Sequence, residues 1–311
     1  MRLFKYIYLI IVVVSGVFAS CSKVTYGDER SICFSAYEVT AVKSSEYFSD
    51  GDAVGVFAYY LEGGAWNQEV QPDFMNNISL AKTSQGWIYS PIVFWPSMSR
   101  NQLRFYAYAP HSDKLDTGEL VLSCDNGESP KLDFTVTDAK TDLLTSVPVQ
   151  MSRPEGDVSV PLEFNHALGK IQFKFAVSKN NSFSYVKRIS LYDVCQSAVF
   201  TWNGNDLTCS PDATEMDIHL SSSSPDGHFV NTTVHTAADE FTAYLIPGQI
   251  KEIGVLMNNN EEEIIDLTAD PLEIKAGEML SVSFTIQMSG LTVDARIVPW
   301  IEGGAVTGGI K

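Results

Sequence analysis

No window of this chain repeats apolar residues at the 3.6-residue period of an amphipathic helix, which sets aside the helical and doubly wound α/β classes. Positive charge is also scarce. The 311 residues carry 21 Lys and Arg against 38 Asp and Glu, a formal net charge of −17. So acidic a surface repels nucleic-acid phosphates and anionic lipid, and no nucleic-acid partner is expected. Catalytic signatures are missing as well: there is no nucleophile elbow, zincin helix, phosphate loop or dinucleotide fingerprint. No enzymatic activity and no cofactor are therefore expected. The five histidines are scattered, and only His166, beside an apolar strand with Glu163 three residues back, merits weighing as a base. A base needs a nucleophile within hydrogen-bond reach; the sequence favours a hydrogen-bonded structural histidine at a seam between domains. The acidic turn Asp50-Gly51-Asp52 and the run from Asn258 to Glu263 lack a calcium-loop ligand pattern. They read as turn chemistry and a solvated hairpin tip, leaving no metal site.

Long apolar runs are lacking too, with one informative near miss. Arg2 and Lys5 precede an uncharged stretch from Tyr6 to Ala19, short of the about 20 residues that a spanning helix needs. Small residues follow and lead to Cys21, so residues 1–20 read as an export signal rather than a fold element. Phe18-Ala19-Ser20-Cys21 resembles a lipobox, making Cys21 the expected lipidation site and the outer membrane the expected anchor. Several acyl chains hold a protein stably where one alone is marginal.

Four cysteines remain after Cys21, namely Cys33, Cys124, Cys195 and Cys209, and in an exported chain two bridges are permitted. Cys195 and Cys209 flank an Asn203-Gly204 hairpin signal and form the candidate disulfide, and the others are expected to be buried thiols.

What the chain has in abundance is strand pattern. Lys170 to Phe175 alternates, with Ile171, Phe173 and Phe175 on one face. Ser281 to Ile286 places Val282, Phe284 and Ile286 inward and Ser281, Ser283 and Thr285 toward water. Further strands are expected over Ile32 to Val39, Ala53 to Tyr60, Leu103 to Tyr108, Leu132 to Val136, Val158 to Phe164, Val186 to Tyr192, Phe241 to Ile246 and Glu252 to Met257. Turn residues punctuate them at short intervals, as in Gly63-Gly64, Asn126-Gly127 and Pro225-Asp226-Gly227. An all-β chain of two tandem sandwiches follows, with a tether over 21–30, one sandwich over 31–153 and the other over 154–311, divided at the polar stretch Ser152 to Asp157. Trp95 and Trp300 read as core, whereas Trp66 and Trp202, beside turn signals, read as loop residues open to a partner or glycan.

Several segments, in order, resemble the fimbrillin family of Bacteroidetes. They are Gly51 to Tyr60, Phe94-Trp95-Pro96, Leu103 to Pro110, Asp142-Leu143-Leu144, Leu162 to Ile171, Leu245 to Gln249, Ala276-Gly277-Glu278 and Ile297 to Trp300. The resemblance implies transthyretin-like sandwiches, export as a lipoprotein, and fimbrial subunits joined by strand exchange. It also implies a trypsin-like protease that removes the N-terminal segment, so that a strand from a neighbour's C-terminal end fills the groove. Carried to this chain, the candidate processing sites are Arg30 and Lys43. A cut at Arg30 would shed the lipid without the following strand, while a cut at Lys43 would remove both. The glycine-broken tail from Ile301 to Lys311 is either a donor strand or disordered. The alternative is a stand-alone surface lipoprotein that binds glycan or host protein through its loops.

Overall fold

The computed structural model describes residues 30–38, 48–64, 74–97, 100–113, 120–123, 130–137, 139–202, 207–209, 213–220, 224–288 and 290–298. Among them are twenty-three strands. The first half holds β1 (Phe34–Glu38), β2 (Ala53–Leu61), β3 (Met75–Thr83), β4 (Gly86–Ile88), β5 (Gln102–Ala109), β6 (Leu120–Ser123), β7 (Lys131–Thr135), β8 (Leu144–Ser146) and β9 (Val149–Ser152). There follow β10 (Val160–His166), β11 (Gly169–Val177), β12 (Ser184–Cys195), β13 (Ser197–Thr201), β14 (Leu207–Cys209), β15 (Ala213–His219) and β16 (His228–Val230). The remainder are β17 (Glu240–Leu245), β18 (Gly248–Ile250), β19 (Glu252–Met257), β20 (Glu262–Asp266), β21 (Leu272–Ile274), β22 (Met279–Gln287) and β23 (Gly290–Val298). The only helical elements among the described residues are two short 3₁₀ turns, so the fold is all-β.

The largest sheet runs β1-β10-β8-β5-β2-β3-β4, with β9 also on β5. Three more are β17-β11-β22-β23, β15-β12-β19-β20 with β16 on β12, and β14-β13-β7-β6, and β18 pairs with β21. Sheet membership crosses the expected division at residues 153 and 154. Strand β10 lies beyond it yet sits between β1 and β8, while β6 and β7 precede it and pair toward β13. Pairing is decided by which edge offers complementary apolar positions, and a polar linker does not carry that information.

Alternation sorts the side chains as the strand pattern predicts. Ile171, Phe173 and Phe175 of β11 are wholly buried, against Val282 and Phe284 of its parallel neighbour β22. Phe175 and Phe284 stack with ring centroids 5.0 Å apart. Ser281 departs from the pattern: expected in water, it is buried, whereas Ser283 and Thr285 on the same strand are half-buried.

Strands β2 and β5 are buried on both faces. On one face Val54, Val56, Leu103 and Phe105 join Ile32, Phe34, Trp95, Val160, Leu162 and Phe164 in a first core. On the other, Phe57, Tyr59, Tyr106 and Tyr108 join a larger core shared with β7, β11, β12, β13, β17 and β22. Trp202 closes this seam, 5% exposed, with its indole N–H donating to the Ala107 carbonyl at 3.1 Å and its ring 5.4 Å from Tyr106. The expectation of an open loop tryptophan is thereby corrected: a turn signal in sequence does not show that the residue before it packs over a neighbouring sheet, and the large ring is buried with its one donor satisfied. Trp95 is core, as its strand-like context predicts. Trp66 and Trp300 lie outside the described residues.

Candidate strand-exchange site

The N-terminal described segment, residues 30–38, is held between two neighbours. On one side the Ile32 amide donates to the Val93 carbonyl at 2.9 Å, the Trp95 amide donates to the Arg30 carbonyl at 2.9 Å, and Ser31 bridges Phe94. On the other, β1 runs parallel to β10 in the register Phe34 to Val160 through Glu38 to Phe164, and the Val160 amide donates to the Cys33 carbonyl at 2.7 Å. The sequence explains the docking. Ile32, Phe34 and Ala36 alternate, so one face of the segment enters the first core while Cys33 and Tyr37 point elsewhere. Phe34 meets Tyr89 and Phe105 edge-on, with centroids 5.6 and 5.7 Å away. Burying Ile32 and Phe34 contributes about 1.5–3 kcal/mol each, since their apolar area leaves water. Taking the segment away would expose Phe105, Trp95 and the inner face of β10, would strip the partners from the Trp95 and Val160 amides, and would leave the Val93 carbonyl with the Tyr89 hydroxyl alone.

Arg30 stands at the entrance. Its guanidinium donates through Nη1 to the Pro154 carbonyl at 2.7 Å and, more weakly, to the Gly156 carbonyl at 3.5 Å. The polar stretch after β9 thus clamps this arginine in place. Cys21 and Lys43 lie outside the described residues.

At the other end of the chain β23 forms an edge, paired along all nine residues with β22. Asp294 and Arg296 face water on this edge, charges of the kind that discourage indiscriminate strand pairing. Ile297 is 61% exposed. The tail from 299 onward lies outside the described residues.

Two histidine–aspartate pairs bear on chemistry. His166 Nδ1 meets Asp142 Oδ2 in a close hydrogen bond, both side chains are buried, and Asp142 Oδ1 accepts the Leu143 amide at 2.8 Å. The pair ties the stretch before β8 to the end of β10 and is closed to a substrate. Asp239 accepts from His228 Nε2 at 2.9 Å, Thr232 at 3.0 Å and Thr236 at 2.7 Å. Burial alone would raise its pKa; the hydrogen bonds from His228, Thr236 and Thr232 outweigh burial and hold it below the ordinary aspartate value of 3.8. No group of three or more His, Cys, Asp or Glu among the described residues is placed to hold a metal ion. Asp52 instead accepts the Ser49 amide at 2.7 Å, and Asn259 and Glu261 bond to each other across the hairpin tip.

Cys195 and Cys209 are joined as a disulfide with Cα atoms 6.0 Å apart, which fastens the end of β12 to β14. The fold and the covered groove together define a β-sandwich protein whose first sheet is completed by its own N-terminal segment. Residues 39–300 match the fimbrillin-like family, and the chain belongs to it. Over 133 residues it is 31% identical to the fimbrium subunit Fim1C of Phocaeicola vulgatus, an alignment that covers 38% of this chain and only 35% of that relative. A fimbrial protein of Bacteroides vulgatus shares the fold with a TM-score of 0.61 at 22% identity, covering 87% of this chain and 99% of that one. A candidate cell adhesion protein of Bacteroides uniformis gives 0.58 at 18% identity, covering 87% and 99%.

Proposed function

We propose that this chain is a non-catalytic structural or accessory subunit of a cell-surface fimbria that contributes to adhesion, is exported as a lipoprotein through Cys21, and is assembled by strand exchange. The observation that carries this reading is the docking of residues 30–38: a short, mostly apolar segment fills a groove between residues 93–95 and β10, with Ile32 and Phe34 as its anchors. An extended peptide that replaces it recovers the backbone hydrogen bonds and offers alternate side chains to the same pockets. Its removal also leaves the exposed strand edge and apolar floor that a neighbouring subunit would cover.

Of the two candidate processing sites, the reading selects Lys43. A protease must draw the scissile residue into an extended conformation in its own cleft, and Arg30 is engaged by Pro154 and by Trp95. Cleavage there would moreover leave Ser31 to Glu38 in the groove. A trypsin-like protease, other fimbrial subunits and the outer membrane, through the lipid, are the partners this reading requires. Two tandem sandwich units are part of the same proposal, with β10 belonging to the first unit and β6 and β7 pairing into the second.

The test is the N-terminus and intact mass of the protein recovered from outer membranes and from sheared surface filaments. Filament material beginning after Lys43, beside a precursor beginning at lipidated Cys21, is the expected result. Recovery of lipidated Cys21 alone, with no filaments carrying the protein, would overturn strand exchange and leave the stand-alone binding lipoprotein.

A further inference from the structure

A cleft of about 490 Å³, within the size range of small-ligand sites, opens where three sheets meet. Thr145 of β8 lines it from the first sheet, Phe200 and Thr201 from β13, and Gln249, Glu273 and Ile274 from the β18–β21 pair. Its inner wall is apolar, made of the buried Phe200 and Ile274 with Ala167 and Pro247. Ionisable groups share the lining: Glu273 pairs with Lys275 at 3.7 Å, and Glu278 makes no ion pair there. The Glu278 main chain is fixed, its amide donating to the Lys275 carbonyl at 3.1 Å and its carbonyl accepting from the Lys170 amide at 3.0 Å. Its side-chain Oε2 is shut off from water and has no hydrogen-bond partner among the described residues. Such an acceptor is a cost to the folded state until a donor reaches it.

We infer that the cleft is a socket for a lysine or arginine side chain presented by a neighbouring polypeptide. The chemistry of the lining selects that occupant. Two carboxylates face one ammonium, so the lining is net negative and disfavours anions, within a molecule of formal net charge −17 that draws cations toward it. A long basic side chain lays its aliphatic stem on an apolar wall and carries donors at its tip, which matches a lining that combines an apolar wall with the Glu273 and Glu278 carboxylates. Place supports the choice as well. Ala167 directly follows β10, and Thr145 is paired with Asn165 of β10, so the cleft lies at the C-terminal end of the strand that β1 covers. On the assembly reading above, on which the identity of the neighbour rests, a strand filling the groove along β10 brings its following residues to this socket.

The first test needs no assembly. Nα-acetyl-lysine methylamide is titrated into the soluble protein and followed by amide NMR, with the norleucine analogue and a neutral methyl mannoside as comparisons. The lysine compound should shift the amide signals of Thr145, Gln249 and Lys275, and should bind roughly tenfold more weakly to Glu278→Gln and at high salt. Gln249→Arg, at an exposed position on the rim, should fill the mouth with a cation and block the lysine compound in a protein whose fold is undisturbed. Absence of lysine-dependent shifts, equal binding of the norleucine analogue, or a preference for the mannoside overturns the socket.

The second test uses filaments. If cleaved wild-type protein polymerises and Glu278→Gln filaments resist salt equally well, the socket fails and strand exchange stands. If wild-type protein does not polymerise, strand exchange fails and the lysine titration alone decides the socket.

Discussion

Single residues show how much of this fold rests on side chains that bridge sheets. Trp202 is a turn residue by sequence and a core residue in fact, touching Phe57 and Tyr106 and bonding to the Ala107 carbonyl. Trp202→Ala should therefore destabilise the protein by about 3–5 kcal/mol, the range for removing a buried aromatic, read as a lower urea midpoint with the slope unchanged. Trp202→Phe keeps most of the area and loses the donor, so the Ala107 carbonyl is left short of a partner and a smaller loss is expected. Asp239 supplies a pH signature. Its folded pKa lies below that of the unfolded chain, so its contribution to stability is present above about pH 4 and is lost as pH falls through the depressed folded value. Replacing it with Asn should flatten the acid limb of a urea-midpoint profile while lowering the plateau at neutral pH. An acid limb identical to wild type would show that the hydrogen bonds from His228 and the two threonines do not carry the shift.

At the level of elements, β1 is short and yet structurally consequential, because it pairs with β10 along its length while the residues leading into it, 30–32, bond to residues 93–95. Phe34→Ala removes the anchor that packs on Tyr89 and Phe105. Its first measurable effect should be local: the Val160 amide, which donates to the Cys33 carbonyl, should exchange with solvent faster, well before amides in β11 or β22 change. Equal acceleration throughout would mean that β1 opens only with the whole molecule. The Cys195–Cys209 bridge is another element-scale device. With a separation of 14 residues it should contribute about 3 kcal/mol by restricting the unfolded chain, and the double serine variant should lose about that much in denaturant. These elements differ in how visible they are beforehand. The cysteines flank a hairpin signal that sequence displays, and β11, β19 and β22 announce themselves by alternation. β3 does not, since Asn76, Asn77 and Lys82 mix polar groups into it and Asn77 takes a positive φ of 49°.

For the whole molecule the consequential feature is the shared seam. The outer face of β2 and β5 belongs to the same core as the second half of the chain, so the two halves are joined by packed aromatic rings rather than by a polar linker alone. The groove lies on the first core, across β2 and β5 from that shared one, so opening it should leave the second half intact. Cleavage after Lys43 should expose the first core and drive concentration-dependent association, seen as a shift to high mass in light scattering. Lys43→Ala should abolish both cleavage and association, whereas Arg30→Ala should leave association intact and weaken only the clamp on Pro154. Association that survives Lys43→Ala but not Arg30→Ala would reverse the assignment of the processing site.

Sequence alone determined the all-β class, the inward faces of the regular strands and the acidic character, because alternation, turn chemistry and charge are local properties read one window at a time. Family likeness was legible in the order of short segments such as Gly51 to Tyr60 and Leu162 to Ile171. Only the tertiary structure decided that β10 pairs with β1 across the expected division, that Trp202 is buried, that Pro154 restrains Arg30, and that Glu278 lines a cleft built from three sheets. Each of these depends on which distant segments share an edge or a core. That choice is made by the packing of the whole chain, and no local window contains it.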